Sequence, residues 1–127
     1  MSENNPSIVR TLEQQRAAHA WQQVQAGKTA AKQKELKSLA RSAPASIQSN
    51  GLGQTVAFWK AKGEEEHHRV LYAALEGWLK DQLHFSASLL EWIASQASSA
   101  DYRYATAEAL AYLSWYKRFA EAELEGE

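Results

Sequence analysis

The chain has 127 residues, of which 45% are apolar, and its 14 Lys and Arg against 15 Asp and Glu give a net charge of −1. A chain of this length can bury a single hydrophobic core. The chain is not basic overall, so a polyanion would have to bind where cationic side chains cluster. The lack of cysteine excludes disulfides and thiol chemistry. The sequence has no signal peptide and no apolar run of about 18 residues, so we expect a cytoplasmic protein with no membrane span.

Helical periodicity runs through nearly the whole sequence, with few Gly and Pro and no strand-like alternation. It predicts about six helices, at residues 7–25, 33–49, 52–62, 64–83, 86–97 and 100–123. We expect a compact all-α bundle that spans 1–127 as a single helical domain, with frayed ends at 1–6 and 124–127.

The first predicted helix starts at Ser7, where Pro6 and Ser7 supply the start signals. Its broad apolar face includes Trp21 and is expected to face the core. Glu13 and Arg16 lie three residues apart within that face and could form an ion pair.

The second and third helices are joined by Gly51-Leu52-Gly53. A nucleotide-binding loop would follow a strand and carry a third glycine or a Gly-Lys-Ser/Thr end, and none of these is present. We interpret the segment as a tight helix–helix turn with Gly51 at positive φ. The N–H groups that open the third helix could still meet a phosphate oxygen, with Lys60 two turns further along.

Three carboxylate–histidine pairs have the spacing that metal-binding bundles use: Glu64–His67, Glu65–His68 and Asp81–His84. Di-iron bundles need such pairs on two facing helices, whereas all three pairs here belong to one helix or to its end. The sequence therefore predicts no catalytic residue, no metal site and no cofactor. A small helical-bundle metalloenzyme that uses the Glu64–His68 cluster remains the alternative.

Basic residues fall into three groups, which are candidates for nucleic-acid binding. On the second helix, Lys34, Lys37 and Arg41 share a face opposite the apolar stripe. The other groups are Lys60 and Lys62 at the end of the third helix, and Lys117 and Arg118 on a narrow polar strip of the last helix. Nearly half of the acids lie in two blocks elsewhere, at 64–66 and 121–127, which strengthens the case for binding, while an ordinary solvated face remains the alternative for any single group.

The last helix is apolar on a second side as well. Tyr104, Trp115 and Phe119 lie away from the stripe that contains Leu113. A helix that is apolar nearly all round is buried on both sides or covered by a partner. These three aromatic residues are therefore candidates for a protein interface.

Three segments together resemble the small subunit of the type III-B CRISPR effector, the Cmr complex: "LEQQRAAHAWQQV" at Leu12–Val24, "KELKSLARSAPASIQSNGLGQTVAFWKAKG" at Lys34–Gly63 and "ATAEALAYLSWYKRFAEAEL" at Ala105–Leu124. The resemblance implies a non-catalytic helical subunit of an RNA-guided antiviral complex. It implies that several copies stack along the backbone subunits, near the large subunit and the guide RNA, and help to hold target RNA. A purely protein-binding helical adaptor is a further alternative.

Overall fold

The computed structural model describes residues 10–126, which form six helices joined by short turns and contain no strand. The helices are α1 (Leu12–Gly27), α2 (Gln33–Asn50), α3 (Leu52–Ala61), α4 (Glu66–Leu83), α5 (Leu89–Glu91) and α6 (Ser99–Glu123). This confirms the predicted all-α bundle. Over the described residues, none of these helices combines the length and hydropathy that crossing a bilayer requires.

α6 is the central helix and packs against α1, α2 and α4. Its buried positions recur every three or four residues, as expected for one face of a helix; they include Ala105, Ala109, Tyr112, Leu113, Tyr116 and Ala120. All six helices contribute side chains to the hydrophobic core around this face.

α1 begins later than predicted. The Oγ1 of Thr11 accepts a hydrogen bond from the N–H of Gln14 at 3.0 Å, and the Gln14 side chain accepts one from the N–H of Thr11 at 2.9 Å. This reciprocal pair is a capping box, which defines the first turn. The predicted start at Ser7 is wrong, since Arg10 and Thr11 are not helical. The predicted frayed segment 1–6 lies outside the described residues.

The predicted fifth helix, 86–97, is a single α-helical turn followed by a π-helical turn at Trp92–Gln96. The turn begins where Ser88 caps the N–H of Glu91. In the π-helical turn, the N–H of Ala97 donates to the carbonyl of Trp92, five residues earlier, at 2.8 Å.

The segment after α6 stays bound to α2 as far as Gly126. Leu124 is buried, and the N–H of Glu125 donates to Oε1 of Gln33 at 2.9 Å. The ammonium of Lys37 donates to the carbonyls of Leu124 and Gly126. These contacts contradict the predicted fraying over 124–126, and residue 127 lies outside the described part of the chain.

Candidate nucleic-acid and partner surfaces

The basic face predicted for α2 is only partly present. The Lys37 side chain is 6% exposed, and its Nζ lies 3.1 Å from the carbonyl oxygen of Leu124 and 2.8 Å from that of Gly126. A buried ammonium with these partners is not accessible to phosphate. The prediction that Lys37 shares a solvent-facing surface with Lys34 and Arg41 is wrong, because the segment after α6 covers this side of α2.

The other two cations of this group, Lys34 and Arg41, are exposed but stand near acids. Nε of Arg41 lies 3.4 Å from Oε2 of Glu121 on α6, and Lys34 lines a shallow groove with Glu35 and Glu125. The seam between α2 and α6 is thus mixed in charge, which weakens its attraction for a polyanion.

The two cations predicted to share a strip on α6 face different neighbours. Arg118 lines a shallow groove with Glu13 and Arg16 of α1. Lys117 is half-buried and lies one turn before Glu121 on the α2 side. The structure therefore separates this pair.

Three exposed side chains lie at the end of α3, Phe58, Lys60 and Lys62, and are here together called the α3-end surface. Phe58 is 56% exposed, the largest value among the exposed large hydrophobic residues of the described chain. Nζ of Lys62 lies 5.7 Å from the centroid of the Phe58 ring, and Nζ of Lys60 lies 5.2 Å from that of Tyr72. These are cation–π distances. Phe58 was not among the predicted site residues, although its alternation with two lysines is visible in the sequence.

A groove of about 550 Å³ between α2 and α3 adjoins this surface. It is lined by Leu39, Ser42, Ser46, Asn50, Gln54, Thr55, Phe58 and Trp59. Thr55 is 4% exposed, and its Oγ1 has no hydrogen-bond partner. The groove therefore offers polar atoms beside an exposed aromatic ring.

The glycine turn is built as predicted, with Gly51 at positive φ. Gly51 has φ of 88° and ψ of 158°, a region essentially limited to glycine. The N–H of Gly53, in the first turn of α3, donates to the hydroxyl of Tyr102 at 2.9 Å. Because Tyr102 already satisfies this N–H, it is not free to meet a phosphate; that another N–H at the start of α3 could do so stays a prediction.

An aromatic face runs along the seam between α1 and α6. Trp21 and Tyr104 are 42% and 46% exposed, while Trp115 and Phe119 are half-buried and pack against the core. Trp21 meets Phe119 edge-on at 5.2 Å between ring centroids, and Trp115 lies 5.5 Å from Phe119. Trp21 was expected to point into the core and instead extends the predicted interface of α6. We call Trp21, Tyr104, Trp115 and Phe119 the aromatic face.

A buried ion pair lies beneath the aromatic face. Arg16 binds Glu108 in a bidentate manner, with its Nε 2.6 Å from Oε2 and its Nη2 2.9 Å from Oε1. The indole N–H of Trp78 donates to the same Glu108 at 2.8 Å. The ion pair expected between Glu13 and Arg16 is replaced by this longer-range contact, which joins α1, α4 and α6.

The start of α4 brings together Glu65, His67 and His68. Oε1 of Glu65 lies 2.9 Å from Nδ1 of His68 and 3.9 Å from Nε2 of His67. Burial is the main cause of a lowered pKa for His68. The predicted partner Glu64 is not a member of this cluster, and neither are Asp81 and His84.

The chain is thus a small all-α bundle that exposes aromatic and basic side chains on its surface. Residues 12–123 match the family model described as CRISPR-associated protein (Cas_Cmr5). A crystal structure of a CRISPR-associated Cmr5 family protein from Thermus thermophilus is similar to this chain, with a TM-score of 0.76. The two sequences are 30% identical, and the match covers 91% of this chain and 100% of the Thermus chain. The chain belongs to the Cmr5 family of CRISPR-associated proteins.

Membership in this family confirms the predicted small subunit of the type III-B Cmr complex. Cmr5 is a family of small non-catalytic CRISPR subunits. That this chain has no activity of its own stays a prediction.

Proposed function

We propose that this subunit stacks along the backbone subunits of the Cmr complex and helps to hold target RNA, while neighbouring subunits carry out cleavage. Base pairing with the guide RNA would supply the sequence specificity. This chain would then contact phosphates and unstacked bases without reading their identity.

The observation that carries the RNA part of the proposal is the α3-end surface. An exposed ring with an ammonium group beside it suits single-stranded RNA, because a base can stack on the ring while the cation meets a phosphate. Phe58 supplies the ring and Lys62 the cation beside it, while Lys60, over the Tyr72 ring, adds a second cation at the end of α3. Their cation–π contacts are exposed and worth only about 0.5–1 kcal/mol each, so the lysines can turn toward a phosphate.

The remaining predicted cations receive a smaller part. Lys34, Arg41 and Lys117 belong to the mixed seam between α2 and α6, where Glu121 offsets their charge. Arg118 stands beside Glu13 in the groove near α1. We therefore expect these four residues to tune the local potential rather than to anchor RNA, and we leave Lys37 out of the RNA contacts.

The aromatic face supports the stacking part of the proposal. Interface anchors are enriched in Trp and Tyr, which combine large apolar area with a polar edge. The exposed ring of Trp21 packs against Phe119, which also meets Trp115, and the exposed ring of Tyr104 lies about three turns before Trp115 on α6. We propose that this face contacts a neighbouring subunit of the complex, whether the backbone subunit, the large subunit or another copy of this chain.

Changing Lys60 and Lys62 together to alanine should weaken target-RNA binding by the assembled complex, more at low salt than at high salt. Each lost phosphate contact should flatten the plot of log K against log salt by roughly 0.7. Filter binding or fluorescence anisotropy over a salt series measures both effects. Phe58→Ala should weaken binding with little change in that slope, and Phe58→Trp should retain the affinity because it keeps a stacking ring.

The matched control is Lys28→Ala with Lys32→Ala, which removes two exposed lysines outside the α3-end surface. It should leave the affinity within about twofold of the parent. Equal affinity and equal salt slope for the Lys60/Lys62 variant and the parent would contradict the RNA part of the proposal. The protein-binding adaptor would then be favoured.

Changing Trp21 and Tyr104 together to alanine should abolish co-purification with the other subunits while the chain stays folded. Both side chains are largely exposed, so the core is not opened. Circular dichroism checks the fold, and the Lys60/Lys62 variant serves as a control that should assemble normally. Incorporation of the folded Trp21/Tyr104 variant at the parent's stoichiometry would show that this face is not an assembly contact.

A further inference from the structure

Three side chains at the joint between α3 and α4 place metal-binding atoms close together. One donor atom from each of Glu65, His67 and His68 lies within 4.8 Å of the other two. Glu65 is the N-cap residue of α4, yet its side chain makes no capping hydrogen bond. Its carboxylate therefore turns to the two imidazoles instead of the helix end.

The imidazoles have unmet polar atoms. His68 is 8% exposed, and its Nδ1 has no hydrogen-bond partner although Oε1 of Glu65 is only 2.9 Å away. Nδ1 of the neighbouring His67 is also buried without a partner, but the nitrogen of His67 that faces Glu65 is Nε2. A short distance without hydrogen-bond alignment leaves a buried nitrogen unsatisfied, which is unfavourable and calls for an explanation.

A single metal ion accounts for this geometry. In tetrahedral zinc sites the metal lies about 2.0–2.2 Å from imidazole nitrogen and carboxylate oxygen, so two such donors lie about 3.3 Å apart. The observed distances from Glu65 to the two histidines, 2.9 and 3.9 Å, bracket that spacing. Small side-chain rotations would bring all three atoms onto one ion.

We propose that Glu65, His67 and His68 form a zinc-binding site, with the fourth position taken by water. Two imidazoles and one carboxylate suit a borderline ion such as Zn²⁺. The positive end of the α4 dipole opposes a cation here, but the carboxylate of Glu65, itself a ligand, offsets it. The site goes against the sequence-based expectation of no metal.

This site has a binding role and differs from the metalloenzyme weighed from the sequence. Its ligands come from one helix and the residue before it, not from facing helices around a buried cavity. His68 also contacts Phe58 of α3, with ring centroids 5.9 Å apart. Bound zinc would therefore fix the joint between α3 and α4.

The test uses the full chain purified without a histidine tag and stripped of metal with a chelator. Isothermal titration with Zn²⁺, and absorption spectra with Co²⁺ as a coloured substitute, should show one ion per chain. Glu65→Gln, His67→Ala and His68→Ala should each weaken zinc binding at least about 100-fold, since even the partners of ligands typically contribute 10–100-fold.

Two matched controls separate this site from adventitious binding. Glu64→Gln changes the adjacent exposed carboxylate, and His84→Asn removes a histidine outside the cluster while tolerating its φ of 58°. Both should keep the parent's affinity. Zinc should also raise the melting temperature of the parent but not that of Glu65→Gln, which keeps the test valid if a histidine variant does not fold.

Substoichiometric binding by the parent would overturn the proposal. Equal zinc affinity for the parent and Glu65→Gln would overturn it as well, because the ion would then be held elsewhere.

Discussion

Glu108→Ala will destabilise the fold by about 3–5 kcal/mol, the cost typical of removing one member of a buried ion pair. Glu108 is 4% exposed and accepts hydrogen bonds from Arg16 and Trp78. Its loss leaves a guanidinium and an indole N–H without their acceptor between α1, α4 and α6. Because the Arg16 side chain is 15% exposed, water will recover part of the loss. Chemical denaturation of the isolated chain measures the change.

Glu13→Ala is the matched control for this prediction. Glu13 is an exposed acid near the same arginine and was its expected partner from the sequence, so its loss should cost less than about 0.5 kcal/mol. Joint replacement of Arg16 by Met and Glu108 by Leu should recover the part of the loss that comes from the unpaired guanidinium, but not the part from the indole N–H of Trp78, which still lacks an acceptor. If Glu108→Ala is as mild as Glu13→Ala, the pair does not organise the core.

Gly51→Ala will destabilise the chain by about 1–3 kcal/mol, because alanine is strained at a φ of 88° and a ψ of 158°. The space around the glycine is not the cause: a Cβ there would lie 3.7 Å from the hydroxyl of Tyr102, an ordinary contact. Thermal and denaturant unfolding will report the loss.

Gly53→Ala, two residues away, is the matched control. Gly53 is helical, and a Cβ there would meet the Tyr102 hydroxyl at 3.4 Å and Ile93 at 3.5 Å. The gain in helix propensity offsets this tight fit, so the net change should stay below about 1 kcal/mol. A smaller loss for Gly51→Ala than for Gly53→Ala would mean that packing and not backbone strain limits this turn.

The features predicted correctly from the sequence are local ones. Helical periodicity is a property of neighbouring residues, and the turn at Gly51 follows from the backbone freedom of glycine. The capping box of α1 was also present in the sequence, since Thr11 and Gln14 have the required spacing, but Pro6 and Ser7 supplied a competing start signal.

The features predicted wrongly depend on residues far apart in the chain. In a helical projection, Lys37 lies on the solvent-facing side of α2. It is buried because the segment after α6 packs over this side and accepts its hydrogen bonds at the carbonyls of Leu124 and Gly126. Arg16 had a plausible partner nearby in Glu13, whereas the structure pairs it with a residue 92 positions away. No local pattern encodes which distant segment covers a given helix face.

The pairing of α1 with α6 also has a consequence for the order of folding. The contacts of Arg16 with Glu108, His19 with Tyr112 and Lys28 with Glu123 join residues 92 to 95 positions apart. During synthesis, α1 is therefore made long before its principal partner leaves the ribosome. Contacts between residues so far apart in the chain form slowly, and until they form, apolar surface is transiently exposed. The nascent chain would acquire its native core only once α6 had emerged from the ribosome.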